Sequence, residues 1–136
     1  MSEAVSKSRP KYGVMRIADV MHYRLPLPAY VSILHRISGA LLFFSLPFIL
    51  YLLEQSLTSE YSFEYFRDFV SNGFVKLVIL VLAWGFFHHF CAGLRHMQLD
   101  LHIGLDLPTA RKTSVVVLVV SLLLTALFAL KLFGAF

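Results

Sequence analysis

His88 and His89 stand side by side within Leu77–Leu94, a stretch that has no Asp, Glu, Lys or Arg. An ionisable side chain is costly in hydrocarbon, so one that persists there is expected to face a bundle interior, a partner or a cofactor. On a helix turning 100° per residue, Gly85, Ala92, Gly93 and His96 all fall within roughly 60° of His89. A stripe of small residues around one imidazole could admit a flat macrocycle close to the backbone, with the imidazole as a ligand to its iron. The same stripe could serve helix packing, with Gly85 and Gly93 admitting a neighbouring helix and His89 hydrogen-bonding across to it. These residues alone leave both readings open. His88 points about 100° away, toward Trp84 and Cys91.

His89 lies six residues before Arg95, or about 9 Å along a helix from the charged end. That depth suits a haem whose propionates reach the interface. Upstream, Ser32, His35, Arg36 and Gly39 occupy an i, i+3, i+4, i+7 face at the start of another apolar stretch. Together with Arg95 and His96 they would form a cationic collar for the propionates. The arginines alone are equally explained as the basic flank that holds a span's inner end; Ser32, His35 and His96 are not. Only one span supplies a suitably placed histidine, so a second axial ligand would come from another subunit or a second copy. The single cysteine, Cys91, excludes an internal disulfide and an iron–sulfur cluster built from this chain alone. Seven scattered glycines form no nucleotide-binding fingerprint. Flavin or nicotinamide chemistry would have to come from partners.

Three apolar stretches must position these residues. Between Arg36 and Glu54 lie 17 uncharged residues, between Lys76 and Arg95 lie 18 without a formal charge, and between Lys112 and Lys131 lie 18 more. Each approaches the ~20 residues needed to cross a bilayer. In a chain that is 58% hydrophobic and 15% charged, the expected fold is an all-α integral membrane bundle of three transmembrane helices. It forms one domain over residues 1–136, with spans near 33–53, 75–95 and 113–133. Pro47 is expected to kink the first span. The third is Val/Leu-rich, has no ionisable residue and is expected to serve packing, which disfavours a transporter or channel.

Lys and Arg stay on the cytoplasmic side during insertion. The N-terminal segment is basic, and the first connection, Glu54 to Gly73, carries Glu54, Glu60, Glu64 and Asp68 against Arg67 and is expected to be an outward loop. Arg95, Arg111 and Lys112 return the second connection to the inside. The N-terminus is therefore expected inside and the C-terminus outside. The net charge of +4 reads as topology and a docking surface, with no run of basic residues for nucleic acid. No apolar core precedes the first span, and Glu3 disfavours a mitochondrial presequence, so a bacterial inner membrane is expected.

The runs Ser32-Ile33-Leu34-His35-Arg36-Ile37-Ser38-Gly39 and His89-Phe90-Cys91-Ala92-Gly93-Leu94-Arg95-His96-Met97-Gln98-Leu99-Asp100 resemble the two hallmark segments of the cytochrome b membrane-anchor subunit of succinate dehydrogenase. They follow that family's S-x-x-H-R-x-[ST]-G pattern and its second motif, which ends G-x-R-H-x-x-x-D; Arg9-Pro10 also matches. The resemblance implies that His89, rather than its neighbour His88, is an axial ligand of haem b. It implies that His35, Arg36 and His96 meet the propionates or their surroundings, and that Ser32 and Arg36 border ubiquinone. A hydroxyl and a guanidinium would stabilise the negative charge that develops on a quinone taking up electrons singly. Asp100 is a weaker candidate for proton delivery, its alternative being an exposed carboxylate paired with Arg95 or Lys112. The implied partners are a second membrane-anchor subunit supplying the other haem ligand, an iron–sulfur subunit and a flavoprotein that oxidises succinate. A haem-free structural anchor and the anchor of a fumarate reductase are the alternatives.

Overall fold

The computed structural model describes Gly13 and residues 23–134; Arg9-Pro10 lies outside the described residues. Four helices follow one another: α1 (Leu27–Thr58), α2 (Glu60–Ser71), α3 (Gly73–Asp100) and α4 (Leu107–Leu132). The 32, 28 and 26 residues of α1, α3 and α4 are each long and apolar enough to cross a membrane. Their outward surfaces are rich in exposed large apolar side chains, among them Phe43, Phe44, Leu122 and Leu123. Such a surface is stable where hydrocarbon is the solvent. The fold is the expected all-α bundle with three transmembrane helices.

The chain enters α1 through the extended residue Pro26, and Pro28 sits in the first turn, where its missing N–H has no helical acceptor to lose. The helix continues through Pro47. Asn72 starts α3 by accepting a hydrogen bond from the backbone N–H of Phe74 at 2.9 Å, and Asp106 starts α4 by accepting one from Thr109 at 3.0 Å. The tight link between α3 and α4 puts His102 at φ 61° and Gly104 at φ 76°. At Gly104 a side chain would be strained by that φ and would also meet Thr109 Cγ2 at 3.0 Å.

The connection from Glu54 to Gly73, expected to be a loop, contains α2. Ser59 and Ser62 form a reciprocal capping box at its start, with Glu60 in the first turn. Phe66 and Val70, one turn apart, face an apolar cavity of about 620 Å³ that is also lined by α1, α3 and Phe128 of α4. Glu60, Glu64, Arg67 and Asp68 remain exposed. At 12 residues and about 18 Å, α2 is too short to span; it packs on the ends of α1 and α3.

Each long helix touches the other two. The fully enclosed apolar core is small, consisting of Val31, Ala92 and Val117, with Cys91 and Leu118 packed against it. Ser38, Ser114 and Ser121 are buried with them. Their hydroxyls donate to carbonyls of their own helices, those of His35, Ala110 and Leu118. Small residues satisfied in this way let helix backbones approach closely, which drives packing where both states are already apolar.

Candidate functional site

The first half of α1 and the last half of α3 pack against each other and bring three imidazoles together. The His35 and His89 rings stack with centroids 4.2 Å apart and planes 6° apart. His96 lies across His35 at 4.9 Å, tilted by 51°. Gly93 is beneath this group, since a Cβ there would stand 3.6 Å from His35 Nε2. Gly39 is the tighter position. A Cβ on Gly39 would come within 2.8 Å of His89 Cε1, closer than real Cβ atoms come to a neighbour, and 3.2 Å of Nδ1. The imidazole of His89 therefore occupies the space that Gly39 leaves by lacking a side chain.

Hydrogen bonds fix the state of that ring. His89 Nδ1 is 3.0 Å from the backbone carbonyl oxygen of His35 and 3.4 Å from Ser38 Oγ. A carbonyl oxygen only accepts, so Nδ1 carries the proton and donates it. The hydroxyl proton of Ser38 is already committed to the same carbonyl at 2.9 Å, leaving Ser38 Oγ as a second acceptor for Nδ1–H. In the neutral ring, Nε2 then holds a lone pair. A histidine whose Nδ1–H is tied to a backbone carbonyl while Nε2 is free is the usual form of a metal-ligating imidazole, with orientation and basicity both set by the carbonyl. The residues present fit an axial ligand to haem iron, and they supply it from a single histidine.

His88 has the opposite environment. It is fully buried, stacked on Trp84 at 5.5 Å, and both its ring nitrogens are enclosed without a hydrogen-bond partner. A ligand bridging to another subunit could not reach it.

Gly85 and Arg95 lie away from the imidazole cluster, and Gly93 lies within it. Gly85, expected to flank a macrocycle, is buried against α1, where a Cβ would meet Leu41 Cδ2 at 3.6 Å and Ser38 Cβ at 4.0 Å. Gly93 faces His35 of the same helix. Both therefore set the close approach of α1 and α3, and the helix-contact alternative describes Gly85. Arg95 does not join the collar. It is buried, and its guanidinium turns to α4, donating from Nε to Thr113 Oγ1 at 3.1 Å and from Nη2 to the Ala110 carbonyl at 3.4 Å. The reason is angular: six residues after His89, Arg95 falls about 120° around the helix from it.

Ser32 is half-buried and Arg36 exposed on the first turns of α1, one turn apart on either side of His35 in the chain. Asp100 ends α3, exposed. Ser38 stands at the [ST] position of the first motif, where the sequence assigns it no separate role; its signal is the small pair Ser38-Gly39, just after His35-Arg36.

A three-span membrane bundle with a carbonyl-oriented histidine at its inner helix crossing defines a class of membrane subunit. Residues 16–128 match the family model of the succinate dehydrogenase/fumarate reductase transmembrane subunit, and the chain belongs to that family. It is similar to the succinate dehydrogenase cytochrome b556 subunit of Coxiella burnetii, 35% identical over 104 residues, which are 76% of this chain and 83% of that protein. It is also similar to the proteins of the same name from Rickettsia felis, 31% identical over 105 residues (77% and 82%), and Paracoccus denitrificans, 34% identical over 112 residues (82% and 85%). The chain is thus a membrane subunit outside the catalytic core of the enzyme.

Proposed function

We propose that this chain is the membrane anchor of a succinate:quinone oxidoreductase, that His89 Nε2 is one axial ligand of a haem b, and that Ser32 and Arg36 border the ubiquinone it helps to reduce. The single observation that carries the haem reading is the Nδ1–H of His89 held on the His35 carbonyl with Nε2 left free. The cytochrome b556 names of the relatives support it. A haem held by His89 would supply a one-electron store at this end of the bundle. The second ligand comes from a second membrane-anchor subunit, since among the described residues one imidazole is so disposed.

The remaining roles belong to this chain's own side chains. His35, stacked on His89, His96, tilted across His35, and the exposed guanidinium of Arg36 provide donors for propionates at the end of the span. Gly93 keeps that end of α3 open to His35. Ser32 and Arg36, on successive turns, donate to the two sides of a quinone oxygen as negative charge builds there. Arg111 and Lys112, exposed at this end, favour it as the cytoplasmic end by the charge rule, and it is there that the flavoprotein and the iron–sulfur subunit would dock. The membrane is the inner membrane of a bacterium.

The test is a reduced-minus-oxidised visible spectrum of the assembled complex. His89→Ala is expected to remove the b-type signal and His88→Leu to retain it. The reverse pattern would transfer ligation to His88, and no signal in the assembled wild type would leave a haem-free anchor. Ser32→Ala is expected to lower quinone reduction about tenfold, the worth of one hydrogen bond to a developing charge, with haem content unchanged. Wild-type turnover in that variant would remove Ser32 from the quinone site.

A further inference from the structure

The guanidinium of Arg95 is a buried charge that the haem reading leaves without a task. It has five N–H donors, and two of them bond within the chain, to Thr113 and to the carbonyl of Ala110. Among the described residues the enclosed, unpartnered polar atoms belong to Trp84 and His88 only. The remaining donors have no hydrogen-bond partner among the described residues, and Arg95 lines a groove between α3 and α4. That groove has a cavity volume of about 290 Å³, and Arg95 and Gln98 line it together with Cys91, Leu94, Val116 and Val120. Polar donors stand at the end near the α3–α4 link, and an apolar trough runs from them toward the middle of the spans. Arg111 and Lys112 are exposed at the same end.

A cation at this depth is costly unless an anion or water meets its remaining donors. The shape of the groove indicates which anion. A group that presents phosphate oxygens at the interface and continues as hydrocarbon along valines is a phospholipid, and the guanidinium charge of Arg95, the one cation among the described residues that line the groove, selects a negatively charged one. We propose that the α3–α4 groove binds one anionic phospholipid of the leaflet facing the α3–α4 link, its phosphate accepting hydrogen bonds from Arg95 and Gln98 and an acyl chain lying over Cys91, Val116 and Val120. This site is separate from the histidine cluster and does not rest on haem binding. It gives the third span a ligand-holding face in addition to packing.

Native mass spectrometry of the whole complex, purified in mild detergent, counts the lipid. Wild type is expected to retain one anionic phospholipid per chain at this site. Arg95→Leu removes the charge and is expected to lower retention by at least about tenfold, the loss of one charge-assisted hydrogen bond. Val120→Trp leaves Arg95 in place and fills the trough from an exposed position; it is expected to lose the same lipid. If Arg95→Leu fails to assemble, Val120→Trp decides. In vesicles of phosphatidylcholine with phosphatidylglycerol, against phosphatidylcholine alone, the wild-type complex is expected to gain Tm and Val120→Trp to gain none. Unchanged lipid content and an unchanged gain in Val120→Trp would overturn the proposal. Release of the second membrane subunit by Arg95→Leu, with lipid retained in Val120→Trp, would assign Arg95 to a partner carboxylate and overturn it equally.

Discussion

The two faces of α3 hold adjacent histidines in opposite circumstances. On the face toward α1, His89 sits half-buried over a glycine, with one nitrogen hydrogen-bonded to a backbone carbonyl. One position earlier, His88 is enclosed against Trp84 with both nitrogens unpartnered. The chemical type is the same and the sequence separation is one residue. The difference is that a ligand needs one nitrogen held and the other free, whereas both nitrogens of His88 are enclosed and neither is reachable. Burial of a polar ring is thus no evidence of function by itself; the informative observation is which atom is committed and to what. Arg95 extends the contrast, because it lies about 20° from His88 around the helix and shares its fate of facing away from the imidazole cluster.

The sharpest way to break this comparison is to remove the space under His89 while leaving the imidazole in place. Gly39→Val would drive methyl groups into a ring already 2.8 Å from the position of a Cβ. Overpacking of this kind costs about 1–3 kcal/mol when neighbours yield. Here the ring has to swing off the His35 carbonyl. The expected result is near-complete loss of the low-spin haem band in assembled complex, with Gly39→Ala intermediate and shifted in midpoint potential. An unaltered spectrum and potential in Gly39→Val would mean that the orientation of His89 is set elsewhere.

A smaller effect is expected on the other face. Replacing a buried polar group that makes no hydrogen bond by an apolar one of similar size removes a desolvation cost and is neutral or favourable. His88→Leu is therefore expected to hold or raise the stability of the complex, by up to about 2 kcal/mol, as read from thermal unfolding with haem retained. A marked loss would show that His88 has a partner, such as an ordered water, that serves the core.

Much of this division could be read from residue order. Charge-free stretches located the three spanning helices, and the i, i+3, i+4, i+7 spacing put His35 and Gly39 on the face that meets His89. Angular counting also separates Arg95 from His89, but a basic residue at a span's end fits two roles, and the choice of Thr113 and Ala110 as acceptors depends on where α4 packs. The segment with Glu60, Glu64 and Asp68 read as a loop because its charge dominated; Phe66 and Val70, one turn apart, carried the helical signal and were outweighed. α1 begins at Leu27, well before its apolar stretch, since nothing in Val31 to Arg36 stops a helix once it leaves hydrocarbon. The hydrogen bond to the His35 carbonyl was not legible, because a backbone acceptor leaves no mark in side-chain order.

The least disruptive probe tests whether the Arg95 face depends on how α4 begins. Asp106 caps α4 through Thr109 N–H, and that hydrogen bond holds its carboxyl below the ordinary aspartate range. A depressed folded-state pKa means that the cap's contribution is fully present above the unfolded value and is lost as pH falls through the folded one. At neutral pH the first turn of α4 is therefore expected to be insensitive to small pH changes, with faster amide exchange at Thr109 only well into the acid range. Asp106→Asn, which still caps, is expected to keep slow exchange and abolish the acid step, whereas Asp106→Ala is expected to exchange fast at every pH. Because Thr113 and the Ala110 carbonyl sit on the turns that follow, fraying in Asp106→Ala should loosen their hold on Arg95 without touching His89. A haem spectrum that changed along with Thr109 exchange would show that the two faces of α3 are coupled.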